Sequence, residues 1–249
     1  MSDREPILIA GAGIGGLALA ALLRRRGRAC LVLERASELA PVGAGIILQP
    51  NAVRALRIGG IEEVVTSRGA RMRTLEIRDA AGRILSAMPA ESLERNFGAG
   101  IIGFHRATLH QALLALAPPG ALRLGSEARA VHQDASGVSV ELANGERVTG
   151  AALVGADGLR SNVRAALLGD GEPRYSGYTS WCGVADASNL WPQGAMCESW
   201  GRGARFGLVG IDGGRVYWFA TANLAAGGKD RARAELLSRF AKWHDPIAR

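Results

Sequence analysis

Short apolar runs separated by glycine, with one helical repeat between the first two, dominate the start of the chain. Ile7-Leu8-Ile9-Ala10 is wholly apolar and bounded by Pro6 and Gly11, the pattern of a strand buried on both faces. Residues 14–26 are rich in Ala and Leu and end in three arginines, and residues 30–33 repeat the buried-strand pattern. A βαβ unit is therefore expected within the first 34 residues. Pro50-Asn51 opens a second helix through Leu56, which stops near Gly59-Gly60. Residues 73–77 and 83–87 read as a hairpin around Ala81-Gly82, and residues 106–117 as a helix ended by Pro118-Pro119. Residues 128–133 and 138–142 are joined by Ala135-Ser136-Gly137, and an Asn144-Gly145 hairpin turn follows. Residues 152–155 return as a buried strand before a short helix at 161–168. After Pro173 Tyr and Trp become frequent and strands alternate, with no helix expected until residues 231–242.

Composition narrows the class. Of 249 residues 48% are apolar, which places the chain among folded α/β proteins and outside the disordered ones. The 34 glycines cluster at turns without a period, so a collagen-like reading fails. The net charge of +7 comes mostly from arginine, since only Lys229 and Lys242 are lysines. Arg24, Arg25 and Arg26 form the longest basic run. They read either as a solvated helix end complementing its dipole or as a lure for an anionic partner. No aromatics interleave with the basic residues, so no nucleic-acid partner is expected. Cys30, Cys182 and Cys197 show neither metal-ligand spacing nor a disulfide framework, with Cys30 inside an apolar run as a small core residue. Histidines 105, 110, 132 and 244 show no ligand spacing either. The first residues are too few and too acidic for a secretory signal, and no apolar run approaches membrane-spanning length. A cytoplasmic protein without a membrane anchor is expected.

Candidate chemistry sits first in Gly11-Ala12-Gly13-Ile14-Gly15-Gly16, a GxGxxG match with Gly11, Gly13 and Gly16 in the defining places. The first glycine permits a tight turn, the second lets a pyrophosphate approach the backbone, and the third lets the helix pack closely on the strand. The motif follows a strand, opens a helix, and is followed at the end of the second strand by Glu34, where a ribose-binding carboxylate belongs. Dinucleotide binding is the expectation.

Further motifs carry a resemblance. The loop at residues 41–52 (PVGAGIILQPNA), Phe104-His105-Arg106-Ala107-Thr108-Leu109-His110, and Gly155-Ala156-Asp157-Gly158-Leu159-Arg160-Ser161 resemble segments of the FAD-dependent aromatic-ring hydroxylases. Residues 175–181 (YSGYTSW) and 214–220 (GRVYWFA) are similar to strands of that family's substrate domain. The likeness runs in register from residue 7 to the C-terminus. It points to the para-hydroxybenzoate-hydroxylase superfamily, and within it to the salicylate-hydroxylase-like branch. The fold it implies is α/β: a Rossmann-like FAD/NAD(P)-binding domain, glutathione-reductase-like, with an interleaved β-rich substrate domain. The expected division is FAD-binding domain at 1–71 and 98–173, a hairpin at 72–97 packing with the substrate domain, and substrate domain with the start of a return helix at 174–249.

The resemblance implies a flavoprotein that hydroxylates a phenolic or heteroaromatic small molecule with NADH or NADPH and O2. It assigns cofactor contacts to Gly11, Gly13, Ile14, Gly15, Gly16, Glu34, Arg35, Gly45, Arg106, Val131 and Asp157. Arg106 starts a helix, an unfavourable place for a cation, which a phosphate or ribose partner explains; a plain surface arginine is the other reading. Asp157-Gly158 reads either as a simple turn or as the motif that holds the pyrophosphate region and helps dock the reductant. Val131 either offers its backbone to the adenine or is a core valine. By resemblance Ile47, Gln49, Phe206, Tyr217 and Phe219 lie near flavin or substrate. Tyr217 is the sole candidate for a polar, catalytic-site contact, and core packing is its alternative. Two departures stand out. Cys182 occupies a position where relatives commonly carry arginine, and the family's third fingerprint, a Gly-Asp-Ala-Ala-His-Pro-like loop, is not found. The chain therefore reads as a C-terminally truncated monooxygenase that binds FAD weakly at best, as an enzyme completed by a homodimer partner or a second chain, or as a non-catalytic nucleotide-binding or interaction module.

Overall fold

The computed structural model describes residues 5–40, 43–135, 137–169, 171–227 and 232–248. Pro41 and Val42 of the loop motif, Ser136 of the expected turn, Lys229, and Arg231 at the expected start of the last helix lie outside the described residues. The chain forms two compact units. One is drawn from the stretches 1–41, 58–61 and 109–174, and the other from 42–57, 62–108 and 175–249.

The first unit is built on a four-stranded parallel sheet. Its order is Ala152–Gly155, Ile7–Ala10, Cys30–Leu33 and Leu122–Arg123. The unbroken apolar run of the second of these has a simple cause, since successive side chains face opposite ways. Leu8 and Ala10 point into a cluster with Val138, Val140, Leu142 and Val163. Ile9 lies beneath the helix Ile14–Arg25, whose buried residues include Gly16, Leu17, Ala20 and Ala21. Leu8, Ile9 and Leu17 are wholly buried, each contributing about 1.5–3 kcal/mol of hydrophobic stabilisation. An antiparallel meander of Ala128–Asp134, Gly137–Leu142 and Arg147–Gly150 supplies the other side of that cluster.

Two expectations change here. The strand Ala152–Gly155 forms as expected, but it is an edge strand with exposed side chains, Val154 among them, because only Ile7–Ala10 pairs with it among the described residues. The arginines ending the first helix are exposed yet engaged. Arg24 donates to the carbonyls of Leu116 and Ala117, Arg25 to Gly60 and Arg26 to Ile58. These carbonyls lie at or just past the ends of helices Pro50–Ile58 and Arg106–Leu116, where cations are favoured.

The second unit holds a six-stranded sheet in the order Tyr178–Ala185, Val216–Asn223, Ala204–Gly210, Ala195–Gly201, Thr74–Asp79 and Ile84–Pro89. The early hairpin joins this sheet through a parallel pairing of Thr74–Asp79 with Ala195–Gly201. A small antiparallel sheet of Gly45–Leu48, Ile102–His105 and Ala70–Arg71 belongs to the same unit. Its Ile47, Ala70 and the neighbouring Met72 and Ile101 pack with Val209, Ile211 and Tyr217. That shared apolar cluster is why residues 43–57 and 98–108 group with the later β-rich part, where the sequence places them with the nucleotide-binding segments. On the other face of the six-stranded sheet, helix Ala232–Phe240 and Trp243 pack against Phe206, Trp218 and Ala220.

Candidate cofactor site

The glycine loop leaves the C-terminal end of the strand Ile7–Ala10, and two of its glycines are demanded by the protein itself. Gly11 has φ of +100° and donates its N–H to the Leu33 carbonyl at 2.7 Å; a Cβ there would lie 2.4 Å from the Ala156 carbonyl oxygen. A Cβ on Gly16 would lie 1.9 Å from the Gly11 carbonyl oxygen, so helix and loop touch backbone to backbone. Gly13 and Gly15 differ. Gly13 is the extended N-cap residue, with φ of −73° and ψ of −175°, and a Cβ on either glycine meets nothing within 4 Å. Neither backbone geometry nor internal packing requires glycine at these two positions.

No side chain caps this helix, and the backbone amides of Gly13, Ile14, Gly15 and Gly16 have no partner among the described residues. Four donors at the positive end of a twelve-residue helix make an anion cradle. The bare space at Gly13 and Gly15 leaves room for the anion to approach, so these residues fit a diphosphate.

Glu34 anchors the loop. Its Oε2 accepts from the Ala12 N–H at 2.7 Å and its Oε1 from the Ala36 N–H at 2.9 Å. An ionised carboxylate has about four acceptor sites, so two such bonds leave capacity for ribose hydroxyls. Arg35, next along, is exposed. Ala12 is also held at its other main-chain group, where His110 Nε2 lies 2.8 Å from the Ala12 carbonyl oxygen.

Asp157 follows the edge strand at the same end of the sheet. Its Cα lies 3.0 Å from the position of a Cβ on Gly11, so the two fingerprints meet at the strand ends, where ligands bind in open α/β sheets. Its carboxylate is engaged locally, accepting from Ser161 Oγ at 2.5 Å and from the Val163 N–H at 3.2 Å. Ser161 in turn caps the helix Asn162–Leu168 by accepting from the Arg164 N–H. The turn is fixed by Gly158, with φ of +85°. Val131 sits mid-strand in Ala128–Asp134, the outer strand of the meander, paired with Val140 and packed on the apolar cluster. These positions join core packing to an outer strand edge.

In the second unit, Gly45 begins the strand Gly45–Leu48 directly under the ring of Tyr217. A Cβ there would lie 2.1 Å from the ring's Cγ. Burial of the ring pushes the Tyr217 phenol above its ordinary pKa. Its hydroxyl has no partner among the described residues, and the residue is half-buried. Tyr217 and Phe219 share a sheet face with ring centroids 6.0 Å apart, and Cys182 pairs with Phe219 on the same face. Phe206 is not brought together with them. It pairs with Ala220, an alternate position along the strand, and so lies on the opposite face stacked with Trp218.

Arg106 donates its N–H to the Ala44 carbonyl at 2.9 Å, and its stem packs against Gly43. The start of its helix is held by Asp212, which the sequence does not reveal as more than a turn residue in Ile211-Asp212-Gly213-Gly214. Its nearly buried carboxylate accepts from the His105 N–H, from Thr108 Oγ1 at 2.9 Å and from Arg215 at 2.6 Å. His110 and Asp212 are the residues missed from sequence. Each acts across about a hundred positions of chain, and no local pattern marks such a contact.

Among the described residues no helix is long and apolar enough to cross a membrane. The FAD binding domain family matches residues 4–232. Over 243 residues the chain is 46% identical to aurachin C monooxygenase/isomerase of Stigmatella aurantiaca, covering 97% of this chain and 63% of that protein. It is 31% identical to an FAD-dependent urate hydroxylase of Klebsiella pneumoniae, covering 96% and 64%. A crystal structure of Klebsiella pneumoniae HpxO with FAD and uric acid superposes with a TM-score of 0.89 at 28% identity, covering 100% of this chain and 64% of that one. The chain thus spans a little under two thirds of the length of these relatives. It belongs to the FAD binding domain family.

Proposed function

We propose that the chain is the FAD-binding portion of a monooxygenase that hydroxylates a phenolic or heteroaromatic small molecule with NADH or NADPH and O2. The observation that carries this reading is the pair of unforced glycines. Gly13 and Gly15 are not needed by the fold, yet they keep the space beside four unpaired amides clear. A bound diphosphate explains both features together.

Each residue then has a task. The amides of Gly13, Ile14, Gly15 and Gly16 neutralise the diphosphate, Gly11 turns the chain toward it, and Glu34 accepts from ribose hydroxyls. Arg35 supplies positive charge to the same cofactor, Asp157 orders the turn beside Gly11, and Val131 offers its strand edge to the adenine. Gly45 gives Tyr217 the clearance to lie flat. When bound, FAD supplies electron transfer from the nicotinamide and activation of O2. Tyr217, a phenol protonated at neutral pH whose pKa burial pushes still higher, donates a hydrogen bond to a phenolate or ring oxygen of the substrate.

The test is an absorbance spectrum after incubation with FAD and gel filtration, followed by NAD(P)H oxidation with phenolic acids. Retained flavin bands and substrate-dependent oxidation are expected. A colourless protein would refute the reading, while bound flavin with no oxidation under any phenolic acid would favour a non-catalytic nucleotide-binding module. Gly13→Ala sharpens it. The N-cap change costs at most about 1 kcal/mol of stability, whereas FAD affinity falls about tenfold or more as the methyl fills the anion's approach.

A further inference from the structure

We infer that His110 is a positioning residue for the diphosphate loop, gripping the Ala12 carbonyl while Glu34 holds the Ala12 N–H; the inference rests on the FAD reading above. Glycine occupies four of the six positions 11–16, so the free loop has large backbone freedom to lose when it orders around an anion. One residue in the loop is held by both of its main-chain groups, so that two successive peptides are fixed. Glu34 Oε2 accepts the Ala12 N–H at 2.7 Å, and His110 Nε2 meets the Ala12 carbonyl at 2.8 Å. Because a carbonyl only accepts, the hydrogen in the second bond belongs to His110 Nε2. The neutral ring is therefore the Nε2–H tautomer, with Nδ1 carrying the lone pair.

The grip has a directional consequence. With both polar groups of Ala12 occupied by side chains, and the Gly11 N–H given to Leu33, neither residue's amide competes for the ligand. The donors left toward the anion are those of residues 13–16, and they stand in a loop already ordered. A preordered site binds more tightly because the fraction of competent conformers is higher before the ligand arrives. Removing the His110 donor should lower that fraction without removing any atom that touches FAD.

The test measures FAD and ADP dissociation constants by calorimetry for the unaltered chain, His110→Leu and His110→Gln, together with the ligand-free melting temperature of each. The clamp acts on the diphosphate loop, which both ligands use. His110→Leu should weaken both by the same factor, about two- to tenfold, the worth of one hydrogen bond. His110→Gln, whose amide nitrogen can stand near the Nε2 position, should restore affinity to within about twofold. Nitrogen NMR of the ligand-free chain should show the Nε2–H tautomer at His110. Unchanged affinity in His110→Leu, failure of the glutamine to rescue, or an Nδ1–H tautomer would each overturn the clamp while leaving the FAD reading standing. An unaltered chain that binds neither FAD nor ADP would overturn both.

Discussion

Two adjacent residues of the first helix should respond with opposite sign to the same substitution. At Gly16 an added methyl would lie 1.9 Å from the Gly11 carbonyl oxygen, 3.1 Å from the Gly11 carbonyl carbon and 3.3 Å from Ile9 Cγ2. The nearest obstacle is backbone in a loop fixed by the Gly11 to Leu33 bond, so it cannot rotate aside. Helix Ile14–Arg25 must instead lift off the sheet by about an ångström, loosening the burial of Leu17, Ala20 and Ala21. Overpacking of this kind costs about 1–3 kcal/mol, and in a chain of this size each kcal/mol lowers Tm by about 2–4 °C. Gly16→Ala should therefore melt about 2–12 °C below the unaltered protein. At Gly15 a methyl meets nothing within 4 Å. There the helix-propensity gain of alanine over glycine, up to about 1 kcal/mol, goes uncontested, and Tm should hold or rise by a few degrees. Circular-dichroism melts of the ligand-free variants in one buffer decide the matter. If Gly16→Ala melts at or above Gly15→Ala, helix and loop do not touch backbone to backbone.

Two further outcomes are expected. Asp212→Ala strands the His105 amide, the Thr108 hydroxyl and the Arg215 guanidinium around a nearly buried site, and should cost about 2–3 kcal/mol of stability. A Tm shift under about 2 °C would show that the helix start does not depend on it. Glu62 has its carboxyl pKa lowered, first by its hydrogen bond with Arg57 and then by that residue's charge. A depressed folded pKa gives stability present above the unfolded value, about 4.3, and lost as pH falls through the lower folded one. The Tm gap between the unaltered chain and Glu62→Gln, small because the pair is partly exposed, should close below about pH 4. A gap that persists unchanged to pH 2 would refute the assignment.

The sequence alone determined what depends on near neighbours. The run Ile7-Leu8-Ile9-Ala10 is apolar on both faces because a helix lies on one side and a meander on the other. The GxGxxG spacing encodes a turn and a close helix approach within six residues, and Glu34 follows at the end of the next strand. Likewise the hairpin at Thr74–Asp79 and Ile84–Pro89 announces itself through alternation and its Ala81-Gly82 turn.

Only the tertiary structure decided what depends on contacts remote along the chain. It made Ala152–Gly155 an exposed edge, because an apolar strand reads alike whether one or two neighbours flank it. Strand register, fixed by pairing rather than by residue type, set Phe206 and Tyr217 on opposite sheet faces. It joined Gly45–Leu48 to the β-rich unit through the cluster around Val209 and Ile211, although its loop follows the nucleotide-binding strands in sequence. His110 reached Ala12, and Asp212 reached Thr108, across gaps of 98 and 104 residues. A short polar side chain carries no record in its own neighbourhood of which distant backbone group it will meet. That partner is chosen when the hydrophobic clusters form and bring the elements together.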